Sequence, residues 1–160
     1  MAYLIKGVLL TVLTCFGFTK CTDCPDRWVA YHGSCYLFGH GVTDTFVEAE
    51  HFCRQHKEGH LVEIQSKLEN LFIKDFLRDL GGYCYWIGLT DEHVEGQWLW
   101  YHSGSSPVFT DWHPSQPDPG NGEDCAIFWS PFDYKWGDLS CSAKCLPLCE
   151  ISGGSDEIVG

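Results

Sequence analysis

The chain has 160 residues, which at about 100–200 residues per domain means a single domain. Hydrophobic residues make up 44% and aromatic residues 15%, so a ring-rich core can form and bulk disorder is excluded. Ten Lys and Arg against 22 Asp and Glu leave a net charge of −12, a balance that argues against nucleic acid as a partner and favours cations.

Residues 1–19 read as a secretory signal peptide. Lys6 precedes an apolar run of 12 residues from Gly7 to Phe18. That run is too short to cross a membrane, and Gly17 and Thr19 suit cleavage near Thr19. The competing reading, a buried N-terminal helix, fits the lysine and the length poorly. No later stretch approaches about 18 consecutive apolar residues. The mature protein is therefore expected in the extracellular space with no membrane insertion.

Two aromatic-rich runs flank His32-Gly33-Ser34 between Arg27 and Phe38, a hairpin signal. Thr45-Phe-Val-Glu48 is a capping box, and Phe46, Ala49, Phe52, Cys53 and His56 follow at helical spacing up to Gly59. Leu61–Ile64 reads as a short strand. Ser66-Lys-Leu-Glu69 is a second capping box. It opens a helix whose Leu68, Leu71, Phe72, Phe76 and Leu80 form one apolar stripe, stopped at Gly81-Gly82. Short strands then recur over 83–89, 97–101, 124–129, 134–138 and 144–151. Two helices followed by strands make an α+β arrangement. Residues 151–160 read as a small, polar, disordered tail.

Ten cysteines are present. Cys15 falls within the signal, and the remaining nine read as a disulfide framework in an oxidising compartment. Nine is odd, and Cys21, outside the periodic segments, is expected to bridge two chains. Zinc or thioredoxin-like readings of Cys21-Thr-Asp-Cys24, or of Cys141, Cys145 and Cys149, lack the partner pairs those chemistries need.

Between Ser103 and Gly122 lies a loop-rich stretch with four Pro and three Gly. Loops this long usually carry function. Its end, Gln116-Pro-Asp118 through Glu123-Asp124, strings oxygen-bearing side chains between tight turns, and Trp136-Gly137-Asp138 forms another turn downstream. If Cys125 and Cys141 pair, Gln116, Asp118, Glu123 and Asp138 can face one point. Hard oxygen donors without thiolate are what Ca²⁺ takes. By spacing alone, the segment is equally a solvated acidic loop.

Several signposts occur together and in order: Ala49-x3-Cys53, His60-Leu-Val, Trp86-Ile-Gly-Leu89, Gly96-x-Trp98-x-Trp100, Trp112, Gln116-Pro-Asp118, Glu123-Asp-Cys125, Trp136-x-Asp138-x-x-Cys141 and Cys149-Glu150. Residues 24–150 resemble a C-type lectin-like domain, of the kind found in small secreted mollusc-type lectins. The resemblance implies two helices with two small antiparallel sheets, a long calcium- and sugar-binding loop, and disulfides Cys24–Cys35, Cys53–Cys149 and Cys125–Cys141. Cys84 and Cys145 remain for an extra bridge. It also implies a main calcium site of Gln116, Asp118, Glu123 and Asp138, the same residues binding carbohydrate. Gln-Pro-Asp resembles the galactose-type order. Gly137 stands where the family usually has an Asn ligand, which implies weaker calcium binding and a looser sugar preference. Asp91, Glu95 and Asp124 partly match an auxiliary calcium site, with Pro119 where an acid often sits. Galactose types often add an aromatic ring; Trp129, Phe132, Tyr134 and Trp112 are the nearby rings, each equally a packing residue. His113 is the histidine beside the loop.

The expected function is a secreted, Ca²⁺-dependent lectin for glycans with terminal galactose-type sugars on microbial or cell surfaces, in innate immune recognition. A disulfide-linked homodimer would supply multivalency. The alternative is a structural, biomineral or extracellular-matrix protein with weak or no sugar binding. No G-x-S-x-G, H-E-x-x-H or spaced Ser-His-Asp set occurs, so an enzyme is not expected.

Overall fold

The computed structural model describes residues 23–118 and 122–152. The expected signal peptide (1–19), Cys21, Pro119 and the end of the expected tail lie outside the described residues. Strands β1 (Val29–Tyr31) and β2 (Ser34–Phe38) form the first hairpin. His32 and Gly33 join them with φ of 46° and 93°, the two-residue turn whose twist matches a hairpin.

Helix α1 (Phe46–Gln55) starts at the Thr45 capping box, in which Thr45 and Glu48 each accept the other's backbone N–H. Its last helical residue precedes Gly59 by several positions, because Lys57 and Glu58 already take positive φ. Strand β3 is only His60–Leu61, shorter than the run over 61–64.

Helix α2 (Lys67–Leu80) is capped by Ser66. Its second capping box is half-made: the Glu69 carboxylate accepts from Gln65 N–H (2.8 Å) and the Tyr36 hydroxyl (2.8 Å). Burial and neighbouring Glu150 raise the Glu69 carboxyl, and burial likewise raises that of Glu150.

The expected α2 stripe is corrected. Ile73 and Leu77 are fully buried, Phe72 and Phe76 half-buried, and Leu68, Leu71 and Leu80 exposed. Polar Asn70 and Lys74 take the inward face instead. Both reach Asp111, at 3.0 Å each, which also accepts from Lys135 at 2.6 Å. The returning loop thus pulls α2 inward along a polar line that periodicity does not register.

Strands β4 (Cys84–Thr90), β5 (Leu99–Trp100), β6 (Cys125–Trp129), β7 (Lys135–Leu139) and β8 (Leu146–Ile151) follow. The pairing order is β1-β2-β8-β4-β6-β7, with β3 on β8 and β5 on β4. The two antiparallel sheets are therefore continuous, joined where β8 runs parallel to β4 through Leu146 and Pro147. Ile151 pairs with Cys35; the strand takes in the first residue assigned to the 151–160 tail, because it completes the ladder with β2. One core cluster packs α2 against the sheet around Ile87, Trp100 and Trp136; another packs α1 around Phe46 and Trp86.

Among the described residues, four disulfides link Cys24–Cys35, Cys53–Cys149, Cys84–Cys145 and Cys125–Cys141. They join elements up to 96 residues apart. Closing a loop of that size is worth about 4–5 kcal/mol on the chain-entropy account, which supports a domain of short strands.

Candidate functional site

Strand β7 carries Asp138 toward the long loop, and the Cys125–Cys141 disulfide holds its end beside β6. Across from it the loop runs Asp111–Asp118. It is tied down by two backbone bonds: Trp136 N–H to Asp111 (3.0 Å) and His113 N–H to Trp136 (2.8 Å). Burial alone would raise the Asp111 carboxyl. The bonds from Lys135, Lys74 and Asn70 outweigh that and hold it below its ordinary range. Asn70 also accepts from the buried Trp136 indole at 2.9 Å. This hub, absent from any motif, fixes where the next residues fall.

Gln116, Asp118 and Asp138 come together as a closed ring. Asp138 N–H donates to the Gln116 amide oxygen (3.1 Å), the Gln116 amide nitrogen donates to Asp118 (3.3 Å), and Asp118 N–H donates to Asp138 Oδ2 (2.9 Å). The Gln116–Pro117 peptide is cis. Asp138 is 1% exposed, and its Oδ1 has no partner among the described residues. Burial pushes its carboxyl up to about 6, and the charges of Glu123 and Asp118 add to the rise. Gln116, Asp118 and Asp138, three of the four residues expected at the main site, come together, and Glu123 lies near enough for its charge to act on Asp138.

Gly137 is buried, and a side chain there has little room. A Cβ would stand 3.1 Å from the six-membered ring of Trp129 and 3.5 Å from the Gln116 amide oxygen. The space beside Gln116 belongs to an indole, a contact across strands that spacing along the chain does not reveal.

Of the auxiliary trio, Asp91 and Asp124 meet through their backbones. Asp91 Oδ2 accepts from Gly96 N–H (2.8 Å), and Asp91 N–H donates to the Asp124 carbonyl (3.2 Å). Asp91 Oδ1 is buried with no partner among the described residues. Burial raises its carboxyl, and the charges of Glu95 and Asp124 add to it. Glu92 lies near the sulfurs of Cys125 and Cys141, but those are bonded to each other and offer no thiolate. Of the nearby rings, Trp136, Tyr134 and Trp112 serve the core. Trp129 packs against the cluster around Phe46 and Trp86 and also meets Phe132, which stacks on His113.

The architecture is a disulfide-stapled α+β domain with a long loop that carries oxygen-bearing side chains. The family profile "Lectin C-type domain" matches residues 42–151. A perlucin-like protein of Mytilus galloprovincialis is 34% identical over 148 residues, covering 86% of this chain and 94% of that one. An alpha-N-acetylgalactosamine-specific lectin of Patiria pectinifera is 37% identical over 135 residues, with 78% of each covered. The crystal structure of the C-type lectin CEL-I from Cucumaria echinata superposes with a TM-score of 0.74 at 28% identity, covering 82% of this chain and 99% of that one. The chain belongs to the C-type lectin domain family.

Proposed function

We propose that this protein is a calcium-dependent lectin for galactose-type sugars. The carrying observation is the Asp138 carboxylate, buried with one oxygen unpartnered among the described residues, beside the Gln116 and Asp118 side chains. A buried charge is retained only where something compensates it, and an oxygen-only donor set suits Ca²⁺. Gln116, Asp118, Glu123 and Asp138 would hold the ion, which would supply a Lewis-acidic centre for a pair of sugar hydroxyls. The Gln116 amide and the Asp118 and Glu123 carboxylates are the polar groups that orient those hydroxyls. The order Gln116-Pro117-Asp118 supports a galactose-type preference, as does likeness to a lectin described as specific for alpha-N-acetylgalactosamine. Asp91, Glu95 and Asp124 form a second, auxiliary calcium site on the same reasoning.

The lectin acts outside the cell, on glycans of microbial or cell surfaces in innate defence, without catalysis. Cys21 links two copies and so joins two shallow sites, which raises avidity without new contacts. Among the described residues no helix is long and apolar enough to cross a membrane. Gly137, which offers no side-chain ligand, favours the structural or matrix role as the second reading. Calorimetry decides between them: calcium binding followed by galactose binding that EDTA abolishes supports the lectin. Silence toward galactose and mannose in saturating calcium selects the matrix role.

A further inference from the structure

Four aromatic rings run in contact away from the donor ring. His113 stacks on Phe132 with centroids 3.8 Å apart and planes at 10°. Phe132 meets Trp129 edge to face at 4.8 Å, and Trp129 meets Tyr83 edge to face at 6.3 Å. They come from separate places. Trp129 ends β6, Phe132 lies in the 3₁₀ turn Ser130–Phe132, Tyr83 precedes β4, and His113 lies in the long loop.

The row touches the candidate site at two points. Gln116 N–H donates to the His113 carbonyl at 2.8 Å, and Trp129 fills the space over Gly137 next to the Gln116 amide. Its far end is not core packing, because Tyr83 is 65% exposed. The neighbouring charge is spent: Asp133, which follows Phe132, is gripped at both oxygens by Arg78 at 2.9 and 2.7 Å. In a chain of net charge −12, Phe132, Trp129 and Tyr83 make an uncharged aromatic strip joined through His113 to a polar cluster.

That combination matches a neutral ligand with hydroxyls at one end and a C–H face beyond, which is an oligosaccharide. We propose that Trp129, Phe132 and Tyr83 form an extended subsite that takes the second sugar of a bound glycan against its apolar face. The inference rests on the reading that the Gln116–Asp138 ring holds the terminal sugar. Trp129 is then the specificity element of the site: its indole stands where a side chain on residue 137 would project, and it hands the bound glycan on to the row. Rings of this kind add a contact worth a few-fold to about tenfold in affinity.

The test is titration calorimetry in saturating calcium with galactose, lactose, melibiose and N-acetyllactosamine, on wild type, Tyr83→Ala and Phe132→Leu. Wild type is expected to bind at least one disaccharide more tightly than galactose. Each variant is expected to lose about three- to tenfold for that disaccharide while its galactose affinity changes less than about twofold. Tyr83 is exposed, so its variant also controls for folding. Two outcomes sink the subsite alone: a wild type that binds galactose with no disaccharide preferred, or a preference that survives in both variants. A wild type that binds none of the four sugars overturns the lectin reading and the subsite with it.

Discussion

Replacing Asp138 by Asn distinguishes a metal ligand from an ordinary buried acceptor. Asn keeps a carbonyl oxygen that can accept from Asp118 N–H, now at 2.9 Å, and removes the charge that Glu123 and Asp118 repel. Leaving a buried polar atom unpaired costs about 1–3 kcal/mol. The new amide nitrogen recovers only part of that, so a gain of about 1 kcal/mol is expected without metal. For a domain of this size that raises Tm by about 3–5 °C. In calcium at about 100 times Kd, wild type gains about 2.7 kcal/mol by mass action, and the variant gains little. The order of stability therefore reverses, with wild type ahead by about 1–2 kcal/mol. The assay is a pair of thermal melts near neutral pH (about 7.5), in EDTA and in calcium. A variant less stable than wild type in EDTA would show the carboxylate to be a favourable structural acceptor. An undiminished calcium shift in the variant would place the ion elsewhere.

The same carboxyl sets a pH dependence. Its folded-state pKa lies at about 6, above its ordinary value of 3.8, so the folded state holds the proton more tightly than the unfolded chain. Without metal, this group stabilises the fold at low pH, and that contribution is lost as pH rises from about 4 through about 6. The difference in melting temperature between wild type and Asp138→Asn, followed across that window, isolates it. Calcium competes with the same proton, so its affinity in titrations should fall as pH drops below about 6. Asp111→Ala strands the Lys74 ammonium, which is 5% exposed, and should destabilise by about 3–5 kcal/mol. Chemical denaturation measures that loss, and adding Lys74→Met should restore more than half of it.

Much of the scaffold is local and therefore legible. The His32-Gly33 turn, the Thr45 box, the Ser66 cap and the strand-rich second half follow from residues within a few positions of one another. Three of the four cysteine pairings became readable through the family resemblance, which left Cys84 and Cys145 over, since spacing alone leaves many connectivities open. What stayed hidden depends on distant segments meeting. Leu68, Leu71 and Leu80 look like a core stripe, yet Asn70 and Lys74 turn inward because Asp111 arrives from the long loop. Glu69 leaves its capping role for Tyr36 in the first hairpin. Gly137 reads as a missing ligand in the sequence. In the fold it is also a buried position under Trp129, a contact made across two strands.

Cys35 has a mechanical consequence for the whole domain. Cys24, one residue from the start of the described chain, is bonded to Cys35, and Ile151, one residue from its end, pairs with Cys35 across the sheet. Tension applied between the two ends is thus short-circuited through a single covalent corner of the β2–β8 pair. Strands β6 and β7 lie at the opposite end of the strand order, outside the loaded path. Tension that enters at Cys24 and leaves at Ile151 therefore bypasses the ring of Gln116, Asp118 and Asp138.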